Sequence, residues 1–369
     1  MHIDFHYYGT YAVARAAGLK PEVCQTIATA AQFVDDNADD HDIIFEDGAR
    51  IRSFPTTHHL LSIENTELFI RDQRRVWVPF HFLPGGVGDT MGERLICRED
   101  SEIAQEMIGH CLSLSEEQFG LYLVGIAAHV YADTFSHYGF SGVSSRWNGV
   151  DAGTIALDND RRDPDAENRF RDKYGRTMGG LIKNWRHFVD SVKSEFAEEA
   201  TGALGHGAAL KYPDFPYLKW SFSYDHSPNG SPRTSERDNV ETFLRACERL
   251  YDRFRGLGEN HRDHGFNVGQ GFDSFREAFK SVLEVRETDR DRRCELWRSA
   301  AMSGDLFGEP EEIPLYEGGP WQESLNDLNG SMDSRLALQT PAFQFLRASA
   351  IYRTYVLRNL LPSHNLILD

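Results

Sequence analysis

Apolar residues recur with helical spacing through most of the chain. The pattern predicts helices over 8–18, 21–37, 101–112 and 115–138, then in FDSFREAFKSVLEV and RRCELWRSAAMSG, and finally over 335–361. Segments that alternate apolar and polar residues, as strands do, are hard to find. We therefore expect an all-α fold, a multi-helix bundle with long irregular loops, in one mostly helical domain over 1–369. The polar stretch 144–180 is expected to be an irregular excursion with short helices.

One predicted helix is apolar on every side and yet carries ionisable side chains. From Leu121 to Phe135 nearly every position is apolar, so this helix belongs inside the fold. His129 and Asp133 lie in that interior, about 40° apart around the helix and about 6 Å apart along it, and His137 extends the same face. A buried carboxylate must be paired or must bind a metal. The spacing therefore predicts a zinc site or a similar one, with a core hydrogen bond between Asp133 and His129 as the alternative.

Further histidines and aspartates stand in unusual local contexts. His2, Asp4 and His6 alternate in HIDFH, a spacing that an extended segment directs to one side. Asp35 belongs to an aspartate pair at the end of the second helix, where negative charge opposes the helix dipole unless a cation or solvent offsets it. His81 lies among aromatics and prolines in VWVPFHFLPGG, which predicts a rigid extended loop. Each is a candidate metal ligand, although a packed loop histidine also explains His81.

Two more candidates come from the segment LGHGAALKYPDFPYLKW. His206 lies between two glycines, and Asp214 follows Pro213 in a stretch with two prolines. Glycines on both sides of a residue let its backbone approach another group closely. The candidate metal ligands are therefore His2, Asp4, His6, Asp35, His81, His129, Asp133, His137, His206 and Asp214.

Composition and charge narrow the classes of function. With 40% hydrophobic and 12% aromatic residues, the chain of 369 residues can bury a large core. Its formal net charge of −18 repels polyphosphate and anionic lipid, so we expect neither nucleic acid nor a membrane as partner. The five cysteines form no CxxC pair and indicate a reduced cytosolic protein. With no secretion signal and no apolar run of about 18 residues, we expect a cytoplasmic protein without a membrane span.

Four short blocks resemble known families. HIDFHYYGTY, AAQFVDDN, VPFHFLPG and HVYADTFSHYGFSG resemble an uncharacterised bacterial family known only as a domain of unknown function. Their order is also distantly similar to the zinc-dependent phospholipase C and single-strand nuclease superfamily, all-α enzymes that hold three zinc ions in a cleft. This resemblance implies a helical bundle of that type. It aligns His6 with a histidine near the family's N-terminus, Asp35 with the Asp ending an Ala-rich helix, and His81 with a loop histidine.

The strongest mark of that superfamily is His-x3-Asp on a buried helix with a histidine just beyond. His129, Asp133 and His137 fit it, although three residues rather than the usual five separate Asp133 from the later histidine. The resemblance implies two or three zinc ions, or another divalent metal. Because a carboxylate has two oxygens, Asp133 is expected to bridge two of the ions.

Other ligands of the superfamily have no direct counterpart in this chain. The superfamily uses the free amine of an N-terminal Trp as a zinc ligand, and here His2 or Asp4 is expected to replace that amine. The pattern for the third zinc, His-x3-Asp or His-x3-Glu, is absent. His206 together with Asp214 is expected to substitute for it.

The favoured function is a metal-dependent hydrolase acting on small soluble phosphoesters, either phosphodiesters or phosphomonoesters. A hydroxide bridging two ions would attack phosphorus, with Asp35 as ligand or base. Amide and ester hydrolysis by the same metals stay open, whereas GxSxG, GKS or GKT, and GxGxxG motifs are missing. The alternatives are a non-catalytic all-α scaffold or binding protein with a structural metal site, and a non-haem iron protein.

Overall fold

Helices dominate the part of the chain that this computed structural model describes, which is residues 1–38, 42–57, 73–158, 204–209, 211–226, 233–266 and 270–368. The helices are α1 (Thr10–Ala16), α2 (Pro21–Asp36), α3 (Val78–Phe80), α4 (Met91–Arg94), α5 (Glu102–Ser113), α6 (Gly120–Ser136), α7 (Asn239–Asn260), α8 (Arg276–Leu283), α9 (Arg290–Met302), α10 (Gly318–Ser331), α11 (Ser334–Ala337), α12 (Pro341–Tyr355) and α13 (Leu361–Ser363). Segments with π-helical hydrogen bonding, Asp4–Gly9, Gln73–Trp77 and Val356–Leu360, lead into α1, α3 and α13. No described helix is long and apolar enough to cross a membrane.

Helix α6 is the centre of the fold. It packs against α2, α5, α7 and α12, which is the arrangement that a helix without a polar face requires. Gly125 permits the closest of these contacts, because a Cβ there would lie 2.4 Å from the carbonyl oxygen of Ile27 and 2.6 Å from the Cβ of Ala30. The sequence therefore buries α6 directly against the helix that carries Asp35.

Two antiparallel sheets correct the prediction of an all-α fold. Strands β1 (Asp42–Ile44) and β2 (Arg50–Arg52) form one sheet, and β3 (Val150–Leu157), β4 (Lys219–Tyr224) and β5 (Thr234–Asp238) form the other in that order. The prediction was wrong because these strands are short, and because β3 pairs with a segment far away in sequence. Strand β3 also replaces part of the expected irregular excursion over 144–180, and residues 159–180 lie outside the described part of the chain.

The three-stranded sheet supports one side of the candidate site. Trp220 and Phe222 are buried on one face of β4, in a hydrophobic cluster that includes Phe82 and Phe140. From β5, the guanidinium of Arg237 donates to the carbonyl oxygen of Ser136 at 2.9 Å and to that of Tyr138. Positive charge at a helix C-terminus is stabilising. The sheet is thereby fixed to the end of α6 that carries the ionisable side chains.

Candidate metal centre

Asp133 lies at the centre of a buried cluster of histidines. Its side chain on α6 is 1% exposed, and its two oxygens face different groups. Oδ1 lies 3.2 Å from His6 Nε2, whereas Oδ2 lies 3.3 Å from His129 Nε2 and 3.6 Å from His81 Nδ1. Burial opposes ionisation, yet the neighbouring His137 ring and the amino terminus hold the pKa of Asp133 well below its ordinary value. A carboxylate with this divided environment is suited to contacting two cations.

The α-amine of Met1 is the functional group that sequence reasoning missed. It donates to Asp133 Oδ1 at 2.8 Å and lies 3.3 Å from Asp214 Oδ1 and 3.4 Å from His137 Nε2. Burial lowers the pKa of this amine, but the surrounding aspartates raise it to about 11. In the superfamily that the sequence resembles, an N-terminal amine lies at this place, and in this chain His2 or Asp4 was expected to replace it. The structure instead places the amine itself between two buried carboxylates.

The N-terminal residues are helical, which corrects the expected extended geometry of HIDFH. The helical segment is Asp4–Gly9, with His2 just before it. His6 faces Asp133 and His2 faces Asp214, while Asp4 points elsewhere. Asp4 accepts hydrogen bonds from Arg293 at 2.9 and 3.3 Å, and both side chains are 3% exposed. Asp4 is not among the described groups whose ligand atoms could hold a metal. It is a buried ion-pair partner.

Asp35 completes the cluster from the end of α2. Its carboxylate lies 3.8 Å from His81 Nδ1, 3.9 Å from His129 Nε2 and 4.0 Å from His6 Nε2. Partial burial raises the pKa of Asp35 above its ordinary value, against the opposing effect of His129 and His81. At 30% exposure it is the most accessible carboxylate of the cluster. His6, Asp35, His81, His129 and Asp133 therefore lie close together in one volume.

His81 is held by the loop that follows α3. Its Nε2 lies 2.9 Å from the carbonyl oxygen of Thr56, an acceptor, so Nε2 carries the hydrogen. The lone pair of Nδ1 is then directed at the cluster. Metal-binding histidines commonly donate their other ring nitrogen to a carbonyl in this way. Burial lowers the pKa of His81, but Asp133 and Asp35 raise it above its ordinary value overall.

A second group of ligand atoms lies on the other side of the Met1 amine. Asp214 Oδ1 is 3.5 Å from His137 Nε2 and 3.7 Å from His206 Nε2. His137 donates through Nδ1 to the carbonyl oxygen of His81 at 2.8 Å, so its Nε2 is free to bind a metal. The neighbouring amine and histidines hold the pKa of Asp214 well below its ordinary value, although burial acts in the opposite direction. The structure thus brings together the three residues that were expected to form a second site.

Local structure explains how His206 and Asp214 reach this position. Gly205 has a φ of +53°, and a Cβ there would lie 2.3 Å from the Phe82 ring, so only glycine allows the backbone before His206 to pass so closely. The turn around Asp214 is held by Asn239, whose amide donates to the carbonyl oxygens of Tyr212 and Phe215 at 2.7 and 2.8 Å. The glycines and prolines noted in the sequence therefore position these ligands.

The described residues form three groups with the geometry of metal ligands. They are His6, His129 and Asp133; Asp35, His81 and His129; and His137, His206 and Asp214; within each group the ligand atoms lie within 4.8 Å of one another. Among the described residues, both ring nitrogens of His6 and Oδ2 of Asp133 are buried without a hydrogen bond of good geometry. Such atoms are costly to leave unpartnered, by about 1–3 kcal/mol each. Buried His and Asp groups here could hold a metal ion.

Comparison with known proteins gives a family. The model of the family described as "Family of unknown function (DUF6765)" matches residues 1–360 of the chain. The chain belongs to the DUF6765 family. No curated protein and no solved structure matches this member of DUF6765.

Proposed function

We propose that this DUF6765 protein is a metal-dependent hydrolase of small phosphoesters, with its reaction centre at the His and Asp cluster around Asp133. The observation that carries the proposal is the convergence of three ligand groups in one buried region, where two groups share His129 and one of these contains the buried carboxylate of Asp133. A lone structural ion needs four protein ligands and a closed shell. This cluster offers more ligands than one such site uses.

The donor set fits a divalent ion such as zinc. Imidazole nitrogens and carboxylate oxygens are usual zinc ligands, and the ring nitrogens of His81 and His137 that face the cluster are left free by hydrogen bonds to carbonyl oxygens. Metal binding would also give partners to Nε2 of His6 and to Oδ2 of Asp133.

The charge of the cluster favours a cation as well. With the histidines neutral, it contains three carboxylates, Asp35, Asp133 and Asp214, and one ammonium, that of Met1, so negative charge exceeds positive charge by two. The buried pair of Asp4 and Arg293 beside it is balanced. Excess buried charge is strongly unfavourable unless it is compensated. One divalent ion would balance it, and a second would attract an anionic substrate.

The roles of the residues follow from their placement. When bound, paired metal ions activate water and stabilise the attacking and leaving oxygens of a phosphoryl displacement. Asp133 would hold two ions through its separate oxygens, and His6, His81 and His129 would fix their positions. Asp35, with 30% exposure, is the carboxylate best placed to orient water or accept its proton. The motifs similar to zinc-dependent phospholipase C support the same chemistry.

A non-haem iron protein is the second candidate. Each of the three groups contains two histidines and one aspartate, a ligand combination that iron(II) oxygenases use with open coordination positions. The sharing of His129 by two groups, with the third group alongside, favours a centre of several ions over isolated iron sites. The identity of the bound metal separates these candidates.

The test is metal analysis combined with a hydrolysis assay. Protein carrying no added tag is purified, its metals are identified by mass spectrometry, and hydrolysis of bis(p-nitrophenyl) phosphate and p-nitrophenyl phosphate is measured. We expect bound zinc or another divalent ion, activity that EDTA abolishes, and recovery when the ion is returned. Purified protein that takes up no divalent ion contradicts the proposal. Bound iron without hydrolysis supports the second candidate, and bound zinc without hydrolysis supports a structural site.

A further inference from the structure

A chain of side chains, buried except at the partly exposed His2, links the core to one edge of the candidate metal centre. Arg293 donates from Nε and Nη2 to the two oxygens of Asp4, and from Nη2 to His2 Nδ1 at 3.2 Å. On the other side of the His2 ring, Nε2 lies 3.8 Å from Asp214 Oδ2. The order is therefore Asp4, Arg293, His2, Asp214.

Arg293 determines which nitrogen of His2 carries the hydrogen. A guanidinium only donates, so His2 Nδ1 must accept with its lone pair, and the hydrogen of the neutral ring is then on Nε2. Arg293 is fixed in this position, since Nη1 also donates to the carbonyl oxygens of Glu287 and Thr288 at 3.2 and 3.1 Å. An Nε2 that carries hydrogen has no lone pair for a metal. His2 therefore differs from His81 and His137, whose free lone pairs face the cluster.

The two oxygens of Asp214 have separate surroundings. Oδ1 faces the Met1 amine, His137 and His206 at 3.3, 3.5 and 3.7 Å, whereas Oδ2 faces His2. Carboxylates that bind metals are themselves held by hydrogen bonds from neighbouring groups.

We infer that His2 is a positioning residue and not a metal ligand. Its Nε2 hydrogen, fixed by Arg293 and Asp4, holds Oδ2 of Asp214 so that Oδ1 points at the ion bound by His137 and His206. This inference rests on the proposed function, because it assigns that ion to the same centre. The distance of 3.8 Å between His2 Nε2 and Asp214 Oδ2 is longer than a hydrogen bond, so this role of His2 requires the two atoms to approach each other when an ion binds.

Two substitutions distinguish a donor from a ligand. His2→Gln keeps an N–H donor near the position of Nε2 but offers only a weak metal ligand, and His2→Ala keeps neither. Cobalt(II) titration, followed by the visible spectrum of the bound ion, should show wild-type affinity in His2→Gln and an affinity about 10–100-fold lower in His2→Ala. A loss in His2→Gln equal to that in His2→Ala would make His2 a ligand. If His2→Ala binds cobalt(II) with wild-type affinity, His2 does not position Asp214.

A measurement without metal tests the same inference independently. NMR of EDTA-treated protein with isotopically labelled histidine should show the His2 hydrogen on Nε2, and Arg293→Met should abolish that preference. A hydrogen on Nδ1 of His2 in the unaltered protein overturns the inference. If the unaltered protein binds no cobalt(II), the proposed function fails separately, and the NMR result alone decides the state of the His2 ring.

Discussion

Replacing Asp133 by Asn removes the negative charge in the middle of the histidine cluster but keeps the shape of the side chain. In the structure this carboxylate is 1% exposed, accepts from the Met1 ammonium at 2.8 Å, and has four histidine rings within 3.6 Å, those of His6, His81, His129 and His137. After the substitution the ammonium keeps Asp214 as its nearest carboxylate, at 3.3 Å. Removing one member of a buried ion pair costs about 3–5 kcal/mol, so we expect metal-free Asp133→Asn protein to be destabilised by roughly that amount.

Metal adds a second contribution that the same variant should lose. An ion that binds only the folded state, at a free concentration 100 times its Kd, stabilises the fold by about 2.7 kcal/mol. Asp133→Asn loses the negative charge that both oxygens share, so its melting temperature should respond less to EDTA than that of the wild type. The response that remains would come from the group of His137, His206 and Asp214. Wild-type protein should melt at a lower temperature after EDTA treatment. Thermal melts with and without EDTA, metal analysis and hydrolysis of bis(p-nitrophenyl) phosphate measure the three effects on one preparation.

Asp100→Asn is the matched control for loss of a paired aspartate outside the centre. Asp100 accepts from the Tyr131 hydroxyl on the same helix α6 and lies 3.2 Å from Arg249 Nε. Its φ of +48° is one that Asn tolerates well. We expect a loss of about 1 kcal/mol or less and unchanged metal content. An Asp133→Asn protein with wild-type metal content and an unchanged response to EDTA would refute the bridging role and favour a simple core hydrogen bond.

Three further predictions concern packing, the second ligand group and protons. Gly125→Ala should destabilise the fold by about 1–3 kcal/mol in denaturant titration, because the added methyl group would overlap α2. Gly109→Ala, which has open space around it, should instead stabilise the fold by about 0.5–1 kcal/mol. Equal effects of the two substitutions would contradict the close contact at Gly125. His137→Ala should bind fewer ions than wild type by elemental analysis but keep those held around Asp133, and unchanged stoichiometry would exclude His137 as a ligand. Because aspartates raise the pKa of His81 above its ordinary value, zinc binding near neutral pH should release protons, seen as a calorimetric enthalpy that depends on the buffer. An enthalpy that is the same in two buffers of different ionisation enthalpy would contradict it.

The central helix and its ligands could be predicted because their signals are local. An apolar run that is long enough for a helix and carries His129 and Asp133 has few physical interpretations. Helix α6 is packed among other helices, as that pattern requires. The three-stranded sheet was missed although β4 carries a usable signal. Trp220, Phe222 and Tyr224 are buried at alternate positions, the period of a strand with one face in the core. The prolines and glycines before this segment obscured it.

The assignment of Asp4 failed for a reason that local pattern cannot correct. Alternation in HIDFH suits a strand, whereas in the structure a helix begins at Asp4. His2 and His6 face the cluster, and Asp4 faces Arg293. Arg293, the residue that pairs with Asp4, is 289 positions away from it in the sequence. Its sequence neighbourhood, RETDRDRR, mixes acidic and basic residues, which is typical of a solvated helix face. Packing against the N-terminal segment buries Arg293 all the same.

The α-amine of Met1 illustrates a different limit of sequence reasoning. Every chain has such a group, so its presence carries no information until the fold brings it between Asp133 and Asp214. In that place it faces the same oxygens that a divalent ion would bind, so ammonium and metal are competing sources of positive charge. The ammonium compensates part of the negative charge of the carboxylates. The cluster can therefore form during folding before any ion is present. An ion bound as proposed would compete with this ammonium, whose pKa the surrounding aspartates raise to about 11. We therefore expect the affinity for that ion to rise with pH.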